Sequence, residues 1–98
     1  PWQPAVLRMM RLAFDAGAVA GKPVSVCGEA AADPMLAAVL VGLGASSLSM
    51  APRALGHVAE LLGGVSLGEC RAAAAASLAA RNSQAARSAA ASALGIGS

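Results

Sequence analysis

Apolar residues recur at helical spacing near the start of the chain. Val6, Leu7, Met10 and Phe14 form one face, with Met9 and Val19 beside them, and Arg8, Arg11 and Asp15 lie opposite. Pro4 sits where a first helical turn forfeits no needed donor, and the helix is expected to end between Gly17 and Gly21. Lys22-Pro23 then leads into Val24-Ser25-Val26-Cys27, a short β-rich run that reads as a buried strand ended by Gly28.

The next signal is Asp33-Pro34, an acidic N-cap followed by proline at the first helical position. Met35 to Val41 continue as helix, with Gly42 or Gly44 closing it through a positive φ. Ser47-Leu48-Ser49-Met50 reads as a second strand, although serine is an indifferent strand former. Pro52 opens a further helix with Leu55, Val58, Ala59 and Leu62 on one face, stopped by Gly63-Gly64. Ser66-Leu67-Gly68-Glu69 matches a capping box, and its helix is expected to reach about Arg81. The alanine- and serine-rich segment from Ser83 to Leu94 predicts a last, weakly packed helix.

Strands alternating with helices across short loops predict parallel βα units. Two strands are too few for an independent parallel sheet, which needs cover on both faces. The predicted fold class is therefore α/β and helix-rich: the last two βα units and terminal helices of a (β/α)8 barrel. Residues 1–64 would hold the βα units and residues 65–98 the terminal helices. Such a barrel takes roughly 250 residues, so these 98 are expected to be its C-terminal part. The start at Pro1, with no initiator methionine and no leader pattern, agrees with a fragment.

Composition narrows the function classes. Hydrophobic residues make up 57% of the chain and charged ones 12%, which excludes intrinsic disorder. Alanine, a weak hydrophobe and strong helix former, supplies 27 of the 98 positions. The longest charge-free stretch, Pro34 to Pro52, is broken by Gly42, Gly44 and several serines, so membrane insertion is not expected. A net charge of +2 from scattered basic residues, with Trp2 and Phe14 the sole aromatics, argues against a nucleic-acid partner. Two cysteines make no disulfide framework, and a Cys27–Cys70 bridge is not expected in a reducing cytoplasm.

In βα barrels, functional residues gather at the carboxyl ends of strands. The first strand here ends in Val26-Cys27-Gly28-Glu29 and the second in Leu48-Ser49-Met50 with Pro52. Together with Pro4-Ala5-Val6-Leu7, Gly21-Lys22, Asp33-Pro34 and Leu40 to Gly44, these residues resemble the phosphoenolpyruvate-utilising barrel, specifically the enzyme I family of the bacterial sugar phosphotransferase system. The series runs in order over Pro4 to about Leu62, and Glu69-Cys70-Arg71-Ala72 continues it into the terminal helices.

The resemblance implies phosphoryl transfer from phosphoenolpyruvate to an active-site histidine, then to the phosphocarrier protein HPr for sugar uptake. It implies Mg2+ as cofactor, a homodimer and a cytoplasmic enzyme. Cys27 matches the family's proton donor to the enolpyruvate methylene carbon. An ordinary thiol, with a pKa of about 8.5, is largely protonated near neutral pH and can act as such an acid. From the residues alone, a lone cysteine in an apolar strand is more often a small buried hydrophobe. Gly28 and Glu29 are expected at the substrate loop, Glu29 alternatively as a structural partner.

No metal ligand is expected within the chain. The family's magnesium ligands, substrate arginines and phosphohistidine have no match here, so the chain alone is expected to be inactive. Asp33 reads as a cap before a ligand, Cys70 as packing, and Arg53 as solvent-facing. Ser49 and Met50 are expected at the barrel mouth or in ordinary packing. His57 reads as a surface residue, since it lacks the phosphohistidine context. Ala30-Ala31-Ala32 is blander than the usual loop. The alternatives are a pyruvate phosphate dikinase or phosphoenolpyruvate synthase barrel fragment, and a non-catalytic helical dimerisation module. The dikinase branch usually carries a histidine and glycines after Cys-Gly-Glu, where this chain has alanines.

Overall fold

A computed structural model describes residues 2–96. In chain order the elements are α1 (Pro4–Ala20), β1 (Ser25–Cys27), α2 (Glu29–Ala32), α3 (Pro34–Leu43), β2 (Ser47–Ser49), α4 (Pro52–Gly63), α5 (Leu67–Leu78) and α6 (Ser83–Ala93). Strands β1 and β2 form a two-stranded parallel sheet joined through α2 and α3. The fold is helix-rich α/β, and every predicted element is present. Helix α2 was not predicted.

Helix α3 is the hydrophobic spine. Leu36, Ala37, Ala38, Val39 and Leu40 are fully buried, and Leu43 nearly so. Burying each leucine or valine contributes about 1.5–3 kcal/mol, against about 1 kcal/mol for an N-cap. Burial therefore makes this segment a helix, and the cap decides where it starts. Asp33 Oδ1 accepts from the backbone amides of Met35 and Leu36 at 3.1 and 3.3 Å. Its other oxygen accepts from Trp2 Nε1 at 3.2 Å and from Arg87 Nη1 at 3.0 Å. The Arg87 guanidinium also lies over the Trp2 ring, 5.7 Å from its centroid. One carboxylate thus ties the N-terminal segment and α6 to the start of α3.

Two glycines left open by the sequence take separate roles. Gly44 is the αL cap of α3 at φ 115°. Gly42 lies inside the helix, where a Cβ would stand 2.1 Å from the Cys70 carbonyl oxygen and 2.5 Å from its carbon. Helices α3 and α5 therefore meet backbone to backbone. Helix α5 starts at the predicted capping box: Glu69 N donates to Ser66 Oγ at 3.0 Å and Ser66 N to Glu69 Oε1 at 2.9 Å. It ends at Leu78, short of Arg81; Arg8 Nη1 donates to the Leu78 carbonyl, and Asn82 Oδ1 caps the next helix by accepting from Ala85 N.

Three expectations about packing are corrected. The last helix is well packed: Ala86, Ala90, Ala91 and Leu94 are buried, and the buried Ser77 hydroxyl bonds the Ala73 carbonyl and stands 3.3 Å from that of Ala86. Small side chains let α5 and α6 approach closely, so low hydrophobicity did not mean weak contact. On α1 the core face narrows to Leu7 and Phe14 with Met10 beside them, while Met9 is 70% and Val19 91% exposed. On α4 only Val58 is buried, and Leu55 is 57% exposed. Nothing among the described residues covers those outer stripes.

The α3–α5 contact gives a stability prediction. Gly42→Ala should destabilise the protein by about 1–3 kcal/mol or more, because the new methyl meets rigid backbone. A urea-denaturation midpoint equal to that of the wild type would refute the close approach.

Candidate functional site

The sheet pairs Ser25 with Ser47, Val26 with Leu48 and Cys27 with Ser49. Side chains alternate across a strand, and burial follows that alternation. Val26 and Leu48 are half-buried and pack against the helical core. Ser25, Cys27, Ser47 and Ser49 occupy the other face and are exposed. The Ser25 and Ser47 hydroxyls bond each other across that face at 2.6 Å. Ser46 N donates to the Val24 carbonyl at 2.9 Å, and Val24 N donates to Ser46 Oγ at 3.1 Å, which closes the near end.

The expectation of a buried strand is corrected here. The helices cover one face only, and Cys27 stands exposed at the carboxyl end of β1 on the uncovered face. The reading of Cys27 as a small buried hydrophobe does not hold in this chain.

Gly28 turns the backbone immediately after Cys27. Its φ of 92° and ψ of −155° lie in a region that only glycine adopts readily. A Cβ there would meet nothing within 4 Å, so glycine is required by conformation and not by space. Its amide donates to the Ser49 carbonyl at 3.3 Å, which fastens the turn to β2. The expected loop is then a single helical turn, α2, with Ala31 fully buried. Three consecutive alanines, the strongest helix formers, were the available signal for it. The Glu29 side chain lies outside the described residues.

Other candidate residues separate from this edge. Ser49 shares the Cys27 face, whereas Met50 lies just beyond the end of β2. There it lines an apolar cleft with Val41, Leu48, Leu55, Val58 and Leu62. Ser49 therefore stands beside Cys27 and Met50 in the cleft. His57 is exposed on α4, and with Glu60 it borders a different groove, beside Leu94 and Ile96. Arg53 is exposed at the start of α4. Asp33 is engaged as a cap and an ion-pair partner. Cys70 is buried at 3% exposure against Gly42; burial, reinforced by the neighbouring Glu69 carboxylate, pushes its thiol pKa up. Both cysteines are free thiols.

Residues 1–66 match the family described as PEP-utilising enzyme, PEP-binding domain. The chain belongs to that family. The matched span of this PEP-binding domain takes in β1, Cys27, Gly28, β2 and α4, and ends at the capping serine of α5. A phosphoenolpyruvate-protein phosphotransferase of Streptomyces coelicolor is 50% identical over 90 residues, covering 92% of this chain and 16% of that protein. Another of the same name, from Borreliella burgdorferi, is 46% identical over 61 residues, 62% of this chain and 11% of the relative. A multiphosphoryl transfer protein of Xanthomonas campestris is 44% identical over 64 residues, 65% and 8% respectively. The chain thus spans about a sixth or less of these relatives.

Among the described residues no three His, Cys, Asp or Glu side chains converge to hold a metal ion, and no helix is long and apolar enough to cross a membrane. No magnesium site is assembled among the described residues, and no step at this edge is derived through a metal.

The two thiols should differ sharply in reactivity. Iodoacetamide at pH 8 should label Cys27 in the folded protein and leave Cys70 unmodified until denaturant is added. Mass spectrometry of tryptic peptides reads both sites; equal labelling of the two would contradict the described exposure.

Proposed function

We propose that this chain is the C-terminal part of the (β/α)8 barrel of a phosphoenolpyruvate-protein phosphotransferase of the enzyme I type. Residues 1–64 supply its last βα units, and residues 65–98 are terminal helices that brace them. The observation that carries the reading is the placement of Cys27: exposed, at the carboxyl end of a parallel strand, on the face the helices leave open. In a closed barrel that face points inward, and the carboxyl ends form the mouth where chemistry occurs. The family match and the names of the relatives favour this reading over the dikinase branch and over a non-catalytic module.

In this reading, cleavage of the phosphoenolpyruvate P–O bond sends the phosphoryl group to a histidine elsewhere in the protein and leaves the enolate of pyruvate. The enolate π electrons form a new C–H bond at C3 with the Cys27 thiol proton. The S–H electron pair stays on sulfur, giving a thiolate and pyruvate. Gly28 and Glu29 shape the ligand loop through their backbone amides, Gly28 using the conformation only glycine takes up easily. Mg2+ would be held by residues outside this chain and would supply charge neutralisation at the phosphate. The phosphoryl group then passes to HPr in a cytoplasmic homodimer.

The test is Cys27→Ala in the intact protein. Loss of a general acid costs about 10²–10⁴-fold in rate, and pyruvate formation should fall by that amount. Circular dichroism should be unchanged, because an exposed side chain is removed. Turnover at the wild-type rate would overturn the donor role.

A further inference from the structure

The parallel register repeats every two residues on the uncovered face. At its first step, Ser25 and Ser47 are Cα partners, and their hydroxyls close to 2.6 Å. At its second step, Cys27 and Ser49 are Cα partners on the same face. The Gly28 amide bond to the Ser49 carbonyl holds the two strands together at that step. Among the described residues, neither the Cys27 thiol nor the Ser49 hydroxyl is engaged in a hydrogen bond, and both are exposed. The two side chains project from paired residues of one face, as those of the bonded serine pair do one step below.

We propose that Ser49 is a positioning residue for Cys27, its hydroxyl donating a hydrogen bond to the sulfur as the thiol gives up its proton. The proposal rests on the donor role proposed for Cys27. A hydroxyl facing a thiol can accept from S–H or donate to S⁻. Before transfer it orients the thiol; after transfer it stabilises the thiolate, since a hydrogen bond to the charged form favours that form. The S–H bond breaks as the C3–H bond forms, the electron pair remains on sulfur, and water later returns the proton. Val26 and Leu48, on the opposite face, cannot serve this purpose. Ser47 is already bonded to Ser25.

Ser49→Ala and Ser49→Thr in the intact protein separate this role from a structural one. Iodoacetamide labelling of Cys27 at pH 7.5, read by peptide mass spectrometry, reports the contact without any turnover. Ser49→Ala should slow labelling by about threefold, since thiolate population outweighs the compensating change in nucleophilicity. Ser49→Thr, which keeps the hydroxyl, should label at close to the wild-type rate. In pyruvate formation, Ser49→Ala should lower kcat by about tenfold with KM for phosphoenolpyruvate within twofold. Unchanged labelling and unchanged kcat in Ser49→Ala overturn the proposal and leave the donor role intact. Slowed labelling with wild-type turnover in Cys27→Ala means that the contact exists but the donor assignment has failed.

Discussion

Helix α3 presents apolar side chains in every direction, with Leu36 through Leu40 fully buried, so it is stable only if other elements wrap it. Helix α5 covers one side at backbone distance over Gly42; α1 supplies Leu7 and Phe14, and the sheet supplies Val26 and Leu48. Asp33 sets where this spine begins and holds Trp2 and Arg87 against it. Because α3 joins β1 to β2, its length and placement fix the parallel register of the strands. The candidate site is a consequence of that register: Cys27 and Ser49 stand side by side because their strands start level, at Ser25 and Ser47.

One face of the sheet goes to α3 and its neighbours. The other is lined by three hydroxyls and a thiol, an unusual surface for a parallel sheet, whose two faces are normally both covered. A barrel interior supplies the missing cover and makes the Cys27 end a mouth, as we propose. The exposed stripe of α1, with Met9, Leu12 and Val19, belongs to the same picture: apolar surface that this chain does not bury by itself.

Much of this was legible in the sequence because its signals are local. Asp33-Pro34, the Ser66–Glu69 box and the glycines after α1, α3 and α4 mark element ends by cap chemistry, which needs no knowledge of the rest of the chain. What failed was non-local. A β-rich run looks buried whether or not a second layer exists, so the exposure of Cys27 could not be read from Val24-Ser25-Val26-Cys27. Periodicity on α1 and α4 identified apolar positions but not how many would find a partner. Helix α6 was underestimated because alanine counts as weakly apolar, whereas its value here is smallness, which brings two helices together. The α2 turn was hidden by a motif that suggested a loop. Cys27 itself is singled out by the residues around it, and the backbone conformation at Gly28 adds a reason for glycine that the sequence does not display.

In the proposed donor role the Cys27 thiol exchanges a proton with C3 of enolpyruvate, and the reverse direction isolates that step from phosphoryl transfer. Pyruvate incubated in D2O with the intact protein and Mg2+ should exchange its methyl hydrogens for deuterium, followed by proton NMR. The Cys27→Ala variant should exchange at least about 100-fold more slowly. Equal exchange rates in the two proteins would contradict the account.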